Sequence, residues 1–176
     1  ADPGPAARRI REARSEDHGV VVVVSARAGV TDRLRGLLEQ PGRRPSAERI
    51  VTEMREAHPG LTSDAEEVLN ELRRRMRRHG RRRVIRAAER DAFLVLGERL
   101  SARWFAAYLR GEKILARAVD ADALGLRTDD HYGAARVLLD ESDKTVRRRL
   151  GAMLRRGEVP VVTGFFGQSR TGRPAS

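Results

Sequence analysis

Apolar positions recur with a helical period over most of the chain and run without interruption in a few short segments. Residues 5–17 predict a helix: Pro5 suits a first turn, Ile10 and Ala13 share a face, and His18-Gly19 ends it. Val20 to Val24 is an unbroken run of valine. β-Branched side chains favour a strand, and a run without alternation predicts burial on both faces. Ser25-Ala26-Arg27-Ala28-Gly29-Val30-Thr31 then turns directly into a second helix carrying Leu34, Leu37 and Leu38. Gln40 to Pro45 reads as a loop. Ser46 caps a helix with Ile50 and Met54 on one face, stopped by Pro59-Gly60. Ser63 with Glu66 predicts a capping box, ahead of a helix bearing Val68, Leu69, Leu72 and Met76 and interrupted at Gly80. Residues 82–110 read as helical through Val84, Ile85, Phe93, Leu94, Leu100, Trp104, Phe105 and Leu109, with Gly97 marking a break or a close approach. Ile114 to Val119 alternates as a strand does. Ser142 caps a helix with Val146, Leu150 and Leu154, and Gly157 stops it. Val159 to Thr163 is a third strand, followed by the glycine-rich Gly164-Phe165-Phe166-Gly167.

Strands separated by helices imply parallel pairing with right-handed crossovers, so the expected fold is α/β, a three-layer αβα sandwich. At 176 residues the chain is long enough for one domain with a real core and too short for two comfortable ones. No stretch approaches the ~20 apolar residues of a membrane helix, so no membrane partner is expected. The absence of cysteine excludes disulfides, thiolate metal sites and a cysteine nucleophile, and fits a cytoplasmic protein.

Charge changes the picture less than its size implies. The net charge of +11 comes from 36 basic and 25 acidic residues, and Lys113 and Lys144 are the only lysines. Arginines interleave with Glu along helical segments, as solvated faces paired at i,i+4 do. The densest run, Arg73 to Arg83, holds eight arginines in eleven residues. It contains no aromatic for base stacking, so a solvated helix end is the expected role and nucleic acid is not the expected partner. His18, His58, His79 and His131 are scattered without metal-ligand spacing, and no metal site is expected.

Three segments could carry chemistry. Ser25 to Thr31 lies at the carboxyl end of a strand, where open parallel sheets bind ligands. A helix N-terminus there suits a phosphate or carboxylate, with Ala28 and Gly29 as anion-loop candidates and hydroxyls from Ser25 and Thr31. Neither G-x-x-x-x-G-K-[ST] nor G-x-G-x-x-G is present, and on spacing alone an ordinary βα turn is the favoured reading. Gly97-Glu98-Arg99-Leu100-Ser101 could aim Glu98 into a cleft to bind an ammonium group, or leave it as an exposed helical Glu. Val161 to Gly167 could line a pocket with its aromatics or cap the core with them.

Together, in this order, these segments resemble aspartate kinases, members of the amino-acid kinase family. Val21-Val22-Val23-Val24-Ser25-Ala26-Arg27-Ala28-Gly29-Val30-Thr31-Asp32 is similar to their V-V-V-S-A-x-A-G-V-T segment. Leu96-Gly97-Glu98-Arg99-Leu100-Ser101-Ala102 resembles G-E-x-L-S. Val119-Asp120-Ala121, Thr128-Asp129 and Tyr132-Gly133-Ala134-Ala135 resemble V-D-A…T-D…(F/Y)-G-x-A. Val159 to Gly167 with Gly172-Arg173 resembles V-P-V-V-x-G-F-x-G…G-R.

The resemblance implies the amino-acid kinase fold, incomplete over residues 1–176, as a single partial domain with a helical insertion around 46–110. It implies ATP-dependent phosphorylation of the side-chain carboxylate of L-aspartate to 4-phospho-L-aspartate, on the route to lysine, threonine and methionine, with ATP and Mg2+ required. It places Ser25 and Thr31 on the substrate aspartate, Glu98 on its α-ammonium, and Gly164 and Phe165 around the same pocket. The family's K-F-G-G-T-S strand, with its phosphoryl-contacting lysine, and its L-G-R-G-G-S-D segment do not occur here. The expectation is therefore the aspartate-binding half of the enzyme, without catalytic residues of its own and inactive alone. An incomplete sheet leaves apolar surface unpaired, so a homo-oligomer is expected. A non-catalytic relative binding a small ligand or partner chain is the alternative, with a basic nucleic-acid-binding module behind it.

Overall fold

The computed structural model describes residues 2–16, 18–39, 46–79 and 85–176. The expected loop at 40–45, the interruption at Gly80 and the arginines from Arg81 to Arg83 lie outside the described residues. The elements run α1 (Gly4–Ser15), β1 (Val22–Val24), α2 (Val30–Glu39), α3 (Ala47–Ala57), α4 (Ser63–His79), α5 (Ala87–Gly111), β2 (Ala116–Val119), α6 (Ala121–Leu124), α7 (Leu139–Leu154), β3 (Val159–Thr163), β4 (Gly167–Gln168) and β5 (Pro174–Ala175).

β1, β3 and β2 form a parallel sheet in that order, with Val22 opposite Val161, Val24 opposite Thr163, and Val119 opposite Val162. One face of the sheet carries Val22, Val24, Val159, Val161 and Ala116, which pack on Ala7 and Ile10 of α1 and on Ala102, Phe105, Ala106 and Leu109 of α5. The other face presents Val119 and Val162 to Ala121 and Leu124 of α6 and to Val146 and Leu150 of α7. Helices on both faces of a parallel sheet make the expected αβα sandwich. A separate helical core joins α2, α3, α4 and the first half of α5 through Leu34, Met54, Leu69, Leu72, Phe93 and Leu100. It overlaps the helical insertion expected around 46–110, but takes in α2 and leaves the second half of α5 to the sheet.

Several local expectations are corrected. The valine run is not buried on both faces: Val21 and Val23 are 37% and 67% exposed while Val22 and Val24 are half-buried. β1 pairs only with β3 among the described strands, and α6 and α7 pack over β2 and β3 on that face. The cap before α4 falls on Thr62, whose carbonyl accepts from Ala65 and Glu66, because Glu66 turns away to hold Arg55 at 2.7 Å. Ser142 sits one turn inside α7. Its hydroxyl donates to the Leu138 carbonyl at 2.7 Å and accepts the Arg127 N–H at 2.9 Å, so it ties the preceding loop to the helix. The glycine-rich segment after β3 opens a second, antiparallel sheet of β4 and β5. Asp91 of α5, fully buried, anchors this region by accepting the Gly133 N–H at 2.9 Å and the Ser176 N–H at 2.8 Å through Oδ2.

Ser46 caps α3 as the pattern predicts, accepting the Arg49 N–H at 3.2 Å. Ser46→Ala leaves that donor to solvent, and its expected cost is about 1 kcal/mol, read from the denaturant midpoint. An unchanged midpoint would show that the cap contributes nothing.

Candidate functional site at the carboxyl ends of two strands

Because β1 and β3 are parallel neighbours in register, their carboxyl ends lie side by side, and Ser25 and Gly164 leave the sheet at the same edge. The Gly164 N–H donates to the Val24 carbonyl at 2.8 Å. A Cβ on Gly164 would stand 3.2 Å from that carbonyl oxygen and 3.6 Å from Ser25 Oγ, so the bare backbone is what lets the two strand ends close together. Phe165 follows at φ 70, a left-handed conformation unusual for a bulky residue, with its ring 58% exposed. Phe166 turns inward instead, under the Arg99 guanidinium, 5.5 Å from the ring centre. Phe166 therefore caps the core, and Phe165 stands exposed at the end of β3.

From Ser25 the chain crosses Ala26 to Gly29 and enters α2 at the buried Val30, with Thr31 half-buried in its first turn and Ala28 and Gly29 exposed. α5 passes directly beneath this loop. Gly97 makes the close approach and no break: α5 is continuous there, and a Cβ at Gly97 would lie 3.0 Å from Val30 Cγ1, 3.3 Å from Ala26 Cβ and 3.4 Å from Leu34 Cδ1. Successive turns of α5 then hold successive amides of the loop. The Glu98 carboxylate accepts the Ala26 N–H, and Ser101 Oγ accepts the Arg27 N–H at 3.0 Å.

Glu98 is 4% exposed, not a solvated helical residue. Its Oε2 is buried without a hydrogen-bond partner. Burial pushes the Glu98 carboxyl above its ordinary value, and the Ala26 N–H offsets only part of that. A buried carboxylate oxygen with no partner is costly unless a cationic or donor group meets it. Glu98 Oε2 is thus an acceptor that only a cationic or donor group brought to it would satisfy.

The Val119-Asp120-Ala121 motif lies at the junction of β2 and α6. Asp120 and Asp122, at the end of β2 and the start of α6, pair with Arg99 at 3.1 and 2.7 Å, and Asp120 pairs with Arg103 at 2.7 Å. Thr163 Oγ1 accepts the Ala121 N–H at 2.8 Å and ties the end of β3 to α6. These contacts fix α5 to the β2–α6 junction and α6 to the end of β3.

Other candidates fall elsewhere. His18 and His131 are surface groups beside Glu16 and Asp129. The His79 side chain lies outside the described residues. Among the described residues no three His, Asp or Glu side chains gather to hold a metal ion, and no helix is long and apolar enough to cross a membrane. Within the arginine-rich run, Arg73 binds Glu48, and Arg74 and Arg75 bind Glu71, as on a solvated, paired face. The sequence pattern gave no role to His58 or Asp91; both act through contacts more than forty residues away in the chain.

Residues 4–175 match the model of the amino acid kinase family, and the chain belongs to that family. Within it the similarity is to aspartokinases. The chain is 37% identical over 79 residues to aspartokinase 3, chloroplastic, of Arabidopsis thaliana and 35% identical over 79 residues to aspartokinase 1, chloroplastic, of the same plant. Each match covers 45% of this chain and 14% of the relative. In three dimensions, E. coli aspartokinase III in complex with lysine and aspartate superposes with a TM-score of 0.78 at 23% identity, covering 98% of this chain and 40% of that one. The same enzyme with aspartate and ADP gives 0.75 at 24% identity, covering 89% and 36%. The amino-acid kinase fold, with its mostly parallel sheet, is the architecture of this chain.

Proposed function

We propose that this chain supplies the aspartate-binding half of an aspartokinase, the enzyme that transfers the γ-phosphoryl of ATP to the side-chain carboxylate of L-aspartate. The observation that carries the proposal is the buried, half-satisfied Glu98 under the ends of β1 and β3. In this reading Glu98 Oε2 receives the α-ammonium. Ser25 and Thr31 bind the carboxylates, Ala28 and Gly29 form the anion loop, and Gly164 and Phe165 close the pocket. Aspartate in the two E. coli structures supports the substrate class, and ADP in one supports nucleotide use.

Phosphoryl transfer between oxygens is governed by alignment and charge stabilisation, so binding and orienting the acceptor is a catalytic contribution in itself. In this reading the chain's own residues act on the acceptor. The lysine of K-F-G-G-T-S and the aspartate of L-G-R-G-G-S-D have no counterpart in these residues. Incubation of the 176-residue chain with aspartate, ATP and hydroxylamine is accordingly expected to yield no aspartyl hydroxamate. Hydroxamate above background would overturn that expectation. A cytoplasmic homo-oligomer serving lysine, threonine and methionine synthesis completes the proposal.

Calorimetric titration with L-aspartate tests the binding assignment and also carries a pH signature. Because burial raises the Glu98 pKa, its protonated form favours the folded chain. That contribution is fully present below the ordinary carboxyl value and is lost as pH rises through the raised one. An ammonium ligand needs the charged form. Aspartate affinity should therefore increase as pH rises through the raised Glu98 value and then level off, with a proton released on binding inside that window. Affinity flat from acid to neutral pH would separate aspartate from Glu98.

A further inference from the structure

We propose that His58 and Ser101 are positioning residues that set the Ser25–Gly29 loop over Glu98 through the Arg27 backbone, an inference that rests on the aspartate-binding reading. His58 lies just past α3 and is fully buried, edge-on to Trp104 with ring centres 5.9 Å apart. Its Nδ1 is 2.8 Å from the Met54 carbonyl, which can only accept, so Nδ1 carries the proton. Burial lowers the His58 pKa, opposed by the Met54 bond and assisted by repulsion from Arg27, so the ring is neutral near pH 7. Nε2 is then an acceptor. Ser101 Oγ, 3.2 Å away, donates its proton to it.

That fixes the hydroxyl rotor. With its hydrogen committed to His58, Ser101 Oγ offers its lone pair to the Arg27 N–H at 3.0 Å. The bonds run in one direction, from Arg27 N–H through Ser101 and His58 to Met54. Trp104, one turn further along α5, takes the Arg27 side chain, whose guanidinium carbon is 4.3 Å from the indole centre. The Trp104 Nε1–H donates to the Pro59 carbonyl at 2.9 Å, beside His58 in the chain. Glu98, Ser101 and Trp104 thus form a stripe along α5 that holds Ala26 and Arg27 in order.

The consequence for the ligand follows from Glu98. One of its oxygens is spent on the Ala26 N–H, and the other is buried without a partner beside it. Without an acceptor at residue 58, the Ser101 hydroxyl is free to rotate among other acceptors, including the carbonyl one turn back, and no longer holds its lone pair toward the loop amide in one fixed direction. The loop then loses its second anchor next to the carboxylate.

The test compares His58→Phe, which fills the space but removes both ring nitrogens, with His58→Gln, whose amide can restore a donor and an acceptor. The readouts on the 176-residue chain are calorimetric L-aspartate affinity and hydrogen exchange of the Arg27 amide, with the Leu34 amide as an internal control. His58→Phe is expected to weaken aspartate about 10-fold and to speed Arg27 exchange by a similar factor, with Leu34 unchanged. His58→Gln should recover part of both. Ser101→Ala should reproduce the loss, and adding His58→Phe to it should cost no further affinity. Should His58→Phe fail to fold, Ser101→Ala with His58→Gln decides the matter alone. Unchanged aspartate affinity in a folded variant with faster Arg27 exchange overturns the proposal, as does unchanged exchange. If the wild-type chain shows no aspartate binding, the functional reading falls, and Arg27 exchange alone decides whether the pair holds the loop.

Discussion

Glu98→Gln should abolish measurable L-aspartate binding while leaving the chain folded. Glutamine keeps the shape of the side chain and an oxygen for the Ala26 N–H, but it places an uncharged amide where Oε2 stands. Losing one partner of a buried, hydrogen-bonded charge pair costs about 2–5 kcal/mol, roughly 30-fold or more in affinity. Stability should move the other way. Burial disfavours the charged carboxylate in the ligand-free chain, so the neutral variant is expected to unfold at a higher temperature at neutral pH. Weaker binding combined with higher stability separates a ligand-facing carboxylate from a structural one. Equal or lower stability with unchanged binding would return Glu98 to a purely structural role.

Gly97→Leu should damage fold and site together. The position faces Val30, Ala26 and Leu34 at 3.0 to 3.4 Å from where a Cβ would begin, and Ala26 and Val30 cannot swing away without moving the loop or α2. Overpacking of this kind costs about 1–3 kcal/mol, and a four-carbon side chain at so close a contact lies at the upper end. A glycine within a helix itself forfeits about 1 kcal/mol relative to alanine, so its presence in the middle of α5 reflects the approach of α2. Urea unfolding gives the stability change, and loss of aspartate heat in the fraction still folded gives the effect on the site. A midpoint equal to wild type would mean that α2 can shift at no cost.

The fold was legible where a pattern spans a whole element. The amphipathic helices, the three parallel strands and the layered architecture follow from periodicity and element order, and the motif order carried the family. Details settled by competing partners were not legible. Glu66 fits a capping box with Ser63, but Arg55, eleven residues earlier, takes its carboxylate, and Thr62 becomes the cap. The five valines could not reveal that α6 and α7 cover only part of the sheet. β4 and β5 are two residues each, too short for any alternation to register. Gly97 fits either a break or a close approach by sequence, and only the packing of α2 decides between them. Ser25 and Gly164 stand together because β1 and β3 are adjacent, and Glu98 of α5 reaches the same loop through the Ala26 N–H. His58 escaped notice because its value lies in a bond to Ser101, far along the chain, that no local spacing encodes.

The central claim is that Glu98 reads the ammonium group of a bound amino acid. Its most direct test is a paired titration of the wild-type chain with L-aspartate and with succinate, which has the same two carboxylates and no ammonium. Aspartate is expected to bind, and succinate to bind at least about 30-fold more weakly, the loss expected when a buried carboxylate is left without its charged partner. Equal affinity for the two, or binding of succinate alone, would contradict it.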